Sequence, residues 1–430
     1  MLVESWLARA ARTRPRALAL ETADGIRSSY AELDAAATTA ARRLSALGAR
    51  PGDRVALALA AGLPFVEALH GCLRLGAIAV PIDLRLGAAE RAARTRGCAV
   101  VVDGPLAGDE DRDIALSATH DLDAVAIVVH TSGTTAAGRP IELTYGNWLW
   151  SALGSAVALG LDPDERWLCT LPLSHVGGLS ILLRSTIYAT TAVLHDGFDA
   201  TTAASALHAG GCTLVSVVPT TLARLLDAGL ERPPALRAAL VGGGPIAPAL
   251  LERAAAAGVP CVATYGLTEA CSQVTTGGPP LFCTRVKIGD GGEILVAGPT
   301  VARAALADDG WLHSGDLGEL DESGSLTVTG RAADTIVTGG ENVAPAEVEA
   351  LLLSHPDVAD AAVHGEPDER WGERVVATIV LRAGATATAD ALAGYCRVRV
   401  ARYKVPKVFR FALDLPRTQS GKLLRRYLED

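Results

Sequence analysis

The chain has 430 residues, of which 49% are hydrophobic and 20% charged, and its formal net charge is -9 at pH 7. This composition excludes a disordered tail and a coiled coil, and the length allows two or three domains with a large core. Because the balance of charge is acidic and no basic patch stands out before the C-terminal segment, we expect no nucleic-acid partner.

The sequence shows no signal for export or membrane insertion. Residues 1–4 include an acid and no basic region before an apolar run, unlike a secretory signal. The most apolar stretch, residues 55–80, is interrupted by Glu67, His70 and Arg74 and is too short to span a bilayer. The eight cysteines form no CxxC pair, so we expect reduced core thiols without zinc or disulfides. We therefore expect a cytoplasmic protein with no membrane span.

Short apolar runs alternate with helical segments through the first part of the chain. Tyr30 opens an alanine-rich helix, and apolar runs follow at residues 54–59 and 76–80. The same rhythm recurs further on, at residues 124–129, 212–218, 238–241 and 259–264. Such strands predict an α/β fold with a parallel sheet covered by helices on both faces. In open parallel sheets, ligands bind beyond the carboxyl ends of the strands.

The pattern changes after Gly330. A helix is predicted from Pro345, over residues 346–354, followed by a strand at residues 358–363. Three further elements complete this part of the chain: a strand at residues 375–381, a helix at 389–400 and a strand at 408–413. This is the size of a small α+β domain. We place the boundary at residues 331–334, which predicts a large domain of residues 1–330 and a small one of residues 331–430.

Hydroxyl and glycine residues follow the strand at residues 124–129. They are Thr131, Ser132, Gly133, Thr134 and Thr135, and the base Arg139 closes the segment. Backbone N–H groups and hydroxyls in such a loop can surround a polyphosphate. The alternative is an ordinary Ser/Thr turn. The segment is not a Walker loop, because GxxxxGK[ST] is absent.

An aromatic ring, a hydroxyl and a carboxylate occur close together after the strand at residues 259–263. Tyr265 offers a face for a base, Thr268 a hydroxyl for phosphate, and Glu269 a hard oxygen for Mg²⁺. The alternative is a turn with a helix-capping threonine. Residues 242–244, three glycines after another strand, leave the space that a flat purine needs.

The last third of the chain adds further candidates. Asp316 is expected on a glycine-flanked loop, where it can accept both hydroxyls of a ribose, and Arg331 can meet ribose or phosphate. The alternatives are a turn and a surface ion pair. Gly339 and Gly340 predict a tight turn. Lys422, one of only four lysines, is a compact charge that can move between two reacting oxygens, although chance survival is the alternative.

The order and spacing of TSGTT, YGLTE, SGDLG, GRAAD, GGENV and a terminal SGK resemble the acyl-adenylate-forming superfamily over essentially the whole chain. Residues 171–180, 193–195 and 265–273 most resemble the o-succinylbenzoate–CoA ligases of menaquinone biosynthesis. The resemblance implies a large domain that binds ATP and the acyl group, with parallel sheets between helices, and a small mobile α+β lid. It implies ligation of a carboxylic acid to coenzyme A, with ATP and Mg²⁺, through an acyl-adenylate.

The resemblance also implies roles for individual residues. Those assigned to ATP are Thr131, Ser132, Gly133, Thr134, Thr135 and Arg139 at the phosphates, Gly243, Gly244, Tyr265 and Gly266 around adenine, and Asp316 with Arg331 at the ribose. Thr268 touches the α-phosphate, Glu269 binds Mg²⁺, and Lys422 bridges the α-phosphate and the attacking carboxylate. His175 lines the acyl pocket, and Gly339 with Gly340 lines the pantetheine tunnel.

o-Succinylbenzoate has two carboxylates, and the one that is not activated needs a cation or several donors if it is buried. Arg184, nine residues after His175 on a predicted helix, is the candidate, with Ser180 as a weaker one. The alternative is an arginine on the helix surface.

Four positions depart from the family pattern. Ala136 replaces a glycine, Gly138-Arg139 replaces Pro-Lys, and Ala333 occupies the hinge position. Two other functions stay open: a ligase for another aryl or fatty acid or for loading a carrier protein, and a nucleotide-binding protein that has lost turnover. The expected partners are small molecules, and the oligomeric state is open, a homodimer being one option.

Overall fold

The computed structural model describes residues 1–131, 138–417 and 423–428. Helices and strands alternate along most of the described chain. The α-helices are α1 (Trp6–Thr13), α2 (Tyr30–Ala46), α3 (Leu63–Leu75), α4 (Ala88–Thr95), α5 (Tyr145–Leu159), α6 (Val176–Tyr188), α7 (Ala200–Ala209), α8 (Pro219–Asp227), α9 (Pro248–Ala256), α10 (Pro345–Leu353) and α11 (Ala389–Arg397). In the described residues no helix is long and apolar enough to cross a membrane.

The strands fall into a large N-terminal set and a small C-terminal set. The first set is β1 (Leu2–Glu4), β2 (Leu18–Thr22), β3 (Arg27–Ser29), β4 (Arg54–Leu57), β5 (Ile78–Pro81), β6 (Val100–Val102), β7 (Thr119–Asp121), β8 (Val125–His130), β9 (Pro140–Thr144), β10 (Arg166–Cys169), β11 (Thr191–Leu194), β12 (Leu214–Val217), β13 (Ala238–Val241), β14 (Cys261–Leu267), β15 (Ser272–Thr276), β16 (Arg285–Ile288), β17 (Glu293–Ala297), β18 (Leu312–Leu320) and β19 (Leu326–Arg331). The second set is β20 (Ile336–Thr338), β21 (Glu341–Val343), β22 (Val358–Asp368), β23 (Gly372–Leu381) and β24 (Val408–Phe411).

Two sheets have parallel cores, as the apolar runs predict. One has the order β6-β4-β5-β8-β9 and the other β15-β14-β13-β12-β10-β11-β2-β3. Their inner strands are parallel, and β9, β15 and β3 join the edges antiparallel. Strands such as β13 are buried along their whole length, because helices cover both faces. The predicted α/β class is confirmed.

A third sheet, antiparallel with the order β16-β17-β18-β19, changes two predictions. Asp316 lies inside β18, not on a loop, and it is in register with Arg331 of β19. Likewise β14 does not end at Ala263 but continues to Leu267 and pairs with β15. In both places a strand distant in sequence supplies hydrogen-bond partners, so glycine and polar residues remain extended.

The C-terminal residues form their own sheet, with the order β21-β20-β23-β22 and β24 beside β23. Helix α10 begins at Pro345 as predicted, whereas α11 ends at Arg397, three residues earlier than predicted. Ile336, Val348 and Val375 belong to a buried cluster formed by this part of the chain. A short 3-10 turn, Ala332–Asp334, precedes the sheet.

The cysteines differ partly from the expectation of core thiols. Cys72, Cys169, Cys212, Cys271 and Cys396 are buried, whereas Cys98, Cys261 and Cys283 are half-buried. Cys98 and Cys261 each pack against the outside of a buried cluster.

Candidate functional site

Thr131 and Arg139 close the neck of the predicted phosphate loop. The Thr131 N–H donates to the Arg139 carbonyl (3.0 Å), and the Arg139 N–H donates to Thr131 Oγ1 (3.2 Å). A Cβ atom at Gly138 would lie 2.4 Å from the Thr131 carbonyl oxygen, so this close approach requires glycine. The remaining predicted loop residues, Ser132, Gly133, Thr134, Thr135 and Ala136, lie outside the described residues.

Arg139 also reaches the predicted metal ligand. Its Nη2 atom lies 2.7 Å from Glu269 Oε1, which joins the two motifs across 130 residues of sequence. Glu269 lies in the turn after β14, where its carbonyl accepts the Ala302 N–H (2.8 Å). Thr268 lies in the same turn and is half-buried. The loop neck and the carboxylate therefore face one another.

Asp316 is held from two sides. Arg331 Nε donates to Asp316 Oδ1 (2.6 Å), and Tyr265 Oη donates to Oδ2 (2.8 Å). Burial, together with the adjacent Asp316 carboxylate, raises the pKa of Tyr265 above its usual range. The hydroxyl therefore stays protonated and remains a donor. Three residues predicted around adenine and ribose form one hydrogen-bonded group.

A cavity of about 230 Å³ joins these parts. Arg139, Glu269 and Arg331 line it together with His313 and Ser314. Glu293, and then Asp309, accept hydrogen bonds from the His313 ring and so raise the pKa of His313. Neither His313 nor Ser314 was given a role from the sequence, although they are the two residues before Gly315 of the SGDLG motif. Their position in β18, next to Asp316, is the signal that could have identified them.

Gly243 and Gly244 follow β13, Gly266 lies inside β14, and none of the three lines the cavity. Gly243 has a φ of +80°, and a Cβ atom there would lie 3.2 Å from Val218. Gly244 has open space around its Cα. Gly266 lies at a bulge between β14 and β15. The three glycines therefore lie at the carboxyl ends of β13 and β14, which are neighbours in the sheet.

His175 caps the N-terminus of α6 and is half-buried. Burial lowers its pKa, Asp83 acts in the opposite direction, and Arg85 and Arg94 reinforce the lowering. Asp83 was not predicted from the sequence. It receives the Arg85 guanidinium on Oδ1 at 2.6 Å, so it is already paired beside His175.

The two residues predicted for the second carboxylate are buried in α6. Arg184 is only 4% exposed, which excludes the alternative of a helix-surface arginine. Ser180 donates its hydroxyl to the Val176 carbonyl (2.5 Å) within the same helix. Neither residue lines the cavity beside Arg139 and Glu269.

Gly339 and Gly340 form the turn between β20 and β21, with φ values of +61° and +85°. The Gly339 N–H donates to the Trp371 carbonyl (2.7 Å), and a Cβ atom at Gly339 would lie 2.9 Å from the indole ring. Trp371 is 39% exposed and was missed at the sequence level, because its contact with the turn is tertiary. Lys422 lies outside the described residues.

The donor set fits Mg²⁺ only in combination with a ligand. Glu269 presents a carboxylate, the type of oxygen that Mg²⁺ prefers, at a cavity that also holds two guanidinium groups suited to phosphate. Within residues 1–131, 138–417 and 423–428, no group of three or more His, Cys, Asp or Glu side chains could hold a metal. Magnesium commonly takes one or two carboxylates and completes its shell with substrate phosphates and water.

A family model described as AMP-binding enzyme matches residues 7–102 and 98–304, and one described as AMP-binding enzyme C-terminal domain matches residues 347–422. The 2-succinylbenzoate–CoA ligase of Bacillus subtilis (strain 168) is 38% identical, and the alignment covers 100% of this chain and 99% of the relative.

Solved structures agree. The o-succinylbenzoate CoA synthetase from Bacillus subtilis, in complex with the acyl-adenylate intermediate OSB-AMP, matches with a TM-score of 0.92 at 36% identity, covering 100% of this chain and 99% of that one. A double mutant of that synthetase, bound with the product analogue OSB-NCoA, matches with a TM-score of 0.75 at the same identity and coverage. The chain belongs to the AMP-binding enzyme family.

Proposed function

We propose that this protein is an AMP-forming acid–CoA ligase that converts o-succinylbenzoate, ATP and coenzyme A into o-succinylbenzoyl-CoA, AMP and pyrophosphate in menaquinone biosynthesis. The observation that carries the proposal is the single cavity lined by Arg139, Glu269 and Arg331, with Arg331 bonded to Asp316. It combines a cation for the polyphosphate, Arg139, a carboxylate for Mg²⁺, Glu269, and an arginine–carboxylate pair for the ribose, Arg331 with Asp316. The name of the Bacillus subtilis relative supports the choice of acid.

In the first half-reaction the substrate carboxylate attacks the α-phosphate, the bond to pyrophosphate breaks, and an acyl-adenylate forms. We assign the terminal phosphates to Arg139 and the hydroxyls of the phosphate loop: Thr131, Ser132, Thr134 and Thr135. Because phosphate oxygens carry more charge than one carboxylate, Arg139 exchanges Glu269 for phosphate when the nucleotide enters. Bound at Glu269, Mg²⁺ supplies charge neutralisation at the phosphates. The exchange frees Glu269 for that role.

Adenylate formation is assisted by positioning and by charge, without a covalent enzyme intermediate. Thr268 donates to the α-phosphate, and Lys422 bridges that phosphate and the attacking oxygen. His175 lines the acyl side. Its lowered pKa keeps the imidazole neutral at pH 7, so it adds no cation beside the carboxylate.

In the second half-reaction the thiol of coenzyme A attacks the acyl carbonyl, AMP leaves, and the thiol proton is released. We assign the entry of the pantetheine arm to the Gly339-Gly340 turn, where small residues let a narrow chain pass. We further propose that residues 1–330 and 331–430 are the two domains, that the enzyme works in the cytoplasm, and that its partners are small molecules.

The proposal is tested by measuring AMP and pyrophosphate release with o-succinylbenzoate, benzoate and a medium-chain fatty acid, each with and without coenzyme A. We expect the highest kcat/KM, and coenzyme A-dependent AMP release, with o-succinylbenzoate. A higher kcat/KM for the fatty acid would show that the substrate is a different acid, while the ligase activity would stand. Absence of AMP with every acid would refute the ligase itself.

A further inference from the structure

Arg94 approaches the neck of the phosphate loop from helix α4. It lies in the last turn of that helix and is half-buried. Its Nη2 atom lies 3.1 Å, and its Cζ atom 3.6 Å, from the position that a Cβ atom would take on Gly138. The glycine that lets the loop close on Thr131 therefore also leaves room for this guanidinium.

The side chain of Arg94 is poorly satisfied by the protein. Its Nε atom is buried and has no hydrogen-bond acceptor within the part of the chain that the structure describes. Asp83 and Glu90 are the carboxylates that act on its charge. Asp83 accepts from the Arg85 guanidinium (2.6 Å), and Glu90 accepts the Gly87 N–H (3.1 Å) at the start of α4. Both carboxylates are therefore engaged by other donors.

Three other arginines close to the loop neck each have a carboxylate partner. They are Arg54 with Glu142 (2.6 Å), Arg85 with Asp83 (2.6 Å) and Arg139 with Glu269 (2.7 Å). Arg94 has no ion pair of this kind within residues 1–131, 138–417 and 423–428. Burial lowers the pKa of Arg94, the two nearby carboxylates act in the opposite direction, and the guanidinium remains protonated at neutral pH. A half-buried charge without a partner is costly, so the position favours an anion that arrives with a ligand.

The first end of the loop has a neutral histidine. His130 ends β8 and is buried. Burial lowers its pKa to about 4, and the charges of Arg94 and Arg54 add to the lowering. The imidazole is therefore uncharged at pH 7 and supplies no positive charge for phosphate. Arg94 lies close to both ends of the loop, His130 and Gly138, and brings a positive charge to them.

We propose that Arg94 is a phosphate-binding residue that holds the pyrophosphate end of ATP, and pyrophosphate itself as it leaves. This inference rests on the proposed ligase function. When the substrate carboxylate attacks, the bond from the α-phosphorus to the bridging oxygen breaks, and its electron pair passes to pyrophosphate. A guanidinium presents two parallel N–H donors to phosphate oxygens and so stabilises the charge that develops there. AMP lacks these phosphates and gains nothing from Arg94.

The test compares ligands that have the pyrophosphate end with one that lacks it. For Arg94→Met we expect two constants to rise about tenfold to a hundredfold, the scale of losing hydrogen bonds to a charged group. They are the Kd for Mg-ATP, measured by calorimetry, and the KM for pyrophosphate in ATP–pyrophosphate exchange. The Kd for AMP should change less than about twofold. Arg91→Met is the matched control, because Arg91 is exposed one turn earlier in the same helix.

Arg94→Lys separates charge from shape and keeps the proposal testable if Arg94→Met does not fold. Lysine retains the positive charge but not the two parallel donors of a guanidinium. We therefore expect the Kd for Mg-ATP to rise only about threefold to tenfold, with the Kd for AMP unchanged. A residue that merely supports the loop neck would instead change the affinities for Mg-ATP and AMP together.

Coenzyme A also carries phosphates, so its use is measured separately, in thioester formation from pre-made acyl-adenylate. The KM for coenzyme A should stay within about twofold of the wild-type value in all three variants. An unchanged Kd for Mg-ATP, equal changes for Mg-ATP and AMP, or a rise confined to the KM for coenzyme A would each overturn the assignment of Arg94. A wild type that binds Mg-ATP but releases no AMP with any acid would instead refute the ligase, while the calorimetric comparison of the variants would stand.

Discussion

Asp316 is the buried carboxylate that organises the ribose side of the cavity. It is 6% exposed and receives hydrogen bonds from Arg331 and Tyr265 before any ligand is present. These two bonds fix both carboxylate oxygens, so the group is preorganised and does not need to move when nucleotide binds. Residues that are far apart in sequence, such as Tyr265 and Arg331, meet only because β14, β18 and β19 bring them together.

Replacing Asp316 by asparagine should weaken nucleotide binding while keeping the side-chain size. Hydrogen bonds to charged groups contribute about 1.5–3 kcal/mol, so we expect the Kd for Mg-ATP to rise about tenfold to a hundredfold. Titration calorimetry measures this change directly. Glu319→Gln, an exposed position on the same strand, is the control and should bind as the wild type does. Equal affinities of the two variants would contradict the role of Asp316.

Buried histidines make the fold sensitive to acid, and His70, His120 and His130 all have a pKa lowered to about 4 by burial first. Burial lowers the pKa of His70 to about 4; burial, with the nearby His70 and Arg74, lowers that of His120 to about 4. The ordinary value is about 6.5, so the unfolded chain binds these protons first. Stability is therefore fully present above about pH 6.5 and is lost as the pH falls towards 4, by about 3 kcal/mol per histidine.

Denaturant unfolding at pH 7, 6 and 5 checks this prediction. His120→Phe keeps an aromatic ring against Tyr145, whose centroid lies 4.2 Å away, and against Trp6. The variant should show a smaller loss of unfolding free energy on acidification than the wild type. His208→Gln, which removes an exposed histidine, should show the same loss as the wild type. A pH dependence that is identical in all three proteins would exclude His120 as a cause.

At the scale of elements, the YGLTE segment is shaped by its pairing with β15. The two strands are antiparallel and contain a bulge at Gly266, which directs the following Thr268 and Glu269 into a turn. A Cβ atom at Gly266 would lie 1.9 Å from the Ser272 carbonyl oxygen. The contacting atom is backbone, so the neighbour cannot rotate away, and the approach of the two strands requires glycine.

Gly266→Ala should therefore separate β14 from β15 and displace Glu269. We expect a melting temperature lower by several degrees, since core strain of this kind costs about 1–3 kcal/mol, together with weaker Mg-ATP binding. Gly104→Ala is the matched control, because nothing lies within 4 Å of a Cβ atom there. Thermal unfolding and calorimetry on both variants make the comparison. If Gly266→Ala melts and binds like Gly104→Ala, the close pairing is not required.

The elements divide into those that local sequence predicts and those that it does not. Strand β13 has the predicted bounds, because a wholly apolar run between turns has few alternatives to a buried parallel strand. Strand β18 was predicted as a loop, since its glycines and polar residues are typical of turns. Its extension depends on β17 and β19, and such pairing is a property of the fold, not of the segment. The same reason explains why Asp83 and Trp371 were missed.

At the scale of the whole molecule, residues 331–334 connect two differently anchored parts. Arg331 is bonded to Asp316 in the four-stranded antiparallel sheet. Asp334 is bonded to Arg425 (3.3 Å), which also binds Glu349 of α10 (2.6 Å). Ala332 and Ala333 lie between them. Their methyl side chains can form no hydrogen bond or ion pair with either part. We therefore propose that the small domain turns about this pair.

Lys422 and the Gly339-Gly340 turn belong to the same proposed domain but serve different half-reactions. A lysine needed only for the adenylate can leave the site before coenzyme A enters. Lys422→Ala should reduce adenylate formation by on the order of a hundredfold or more, the scale of losing one charge-stabilising group. Given pre-made acyl-adenylate, the variant should form the thioester at nearly the wild-type rate. Equal losses in both half-reactions would make Lys422 a structural residue.

Ala332→Pro tests the rotation itself. Arg331 has φ -120° and ψ 137°, the extended conformation favoured before proline, and the first position of the 3-10 turn accepts a fixed φ. The substitution should therefore fold normally and stabilise the present arrangement, which matches the acyl-adenylate complex (TM-score 0.92) better than the OSB-NCoA complex (0.75).

We expect Ala332→Pro to keep adenylate formation within about threefold of the wild type. It should slow thioester formation from pre-made adenylate at least tenfold, because proline fixes φ at residue 332. Ala332→Ser, which leaves φ free, is the control and should retain both rates. Rapid-quench measurement of each half-reaction separates the two effects. If the proline variant carries out both half-reactions at wild-type rates, the domain does not turn at this residue, and the hinge must lie elsewhere in the chain.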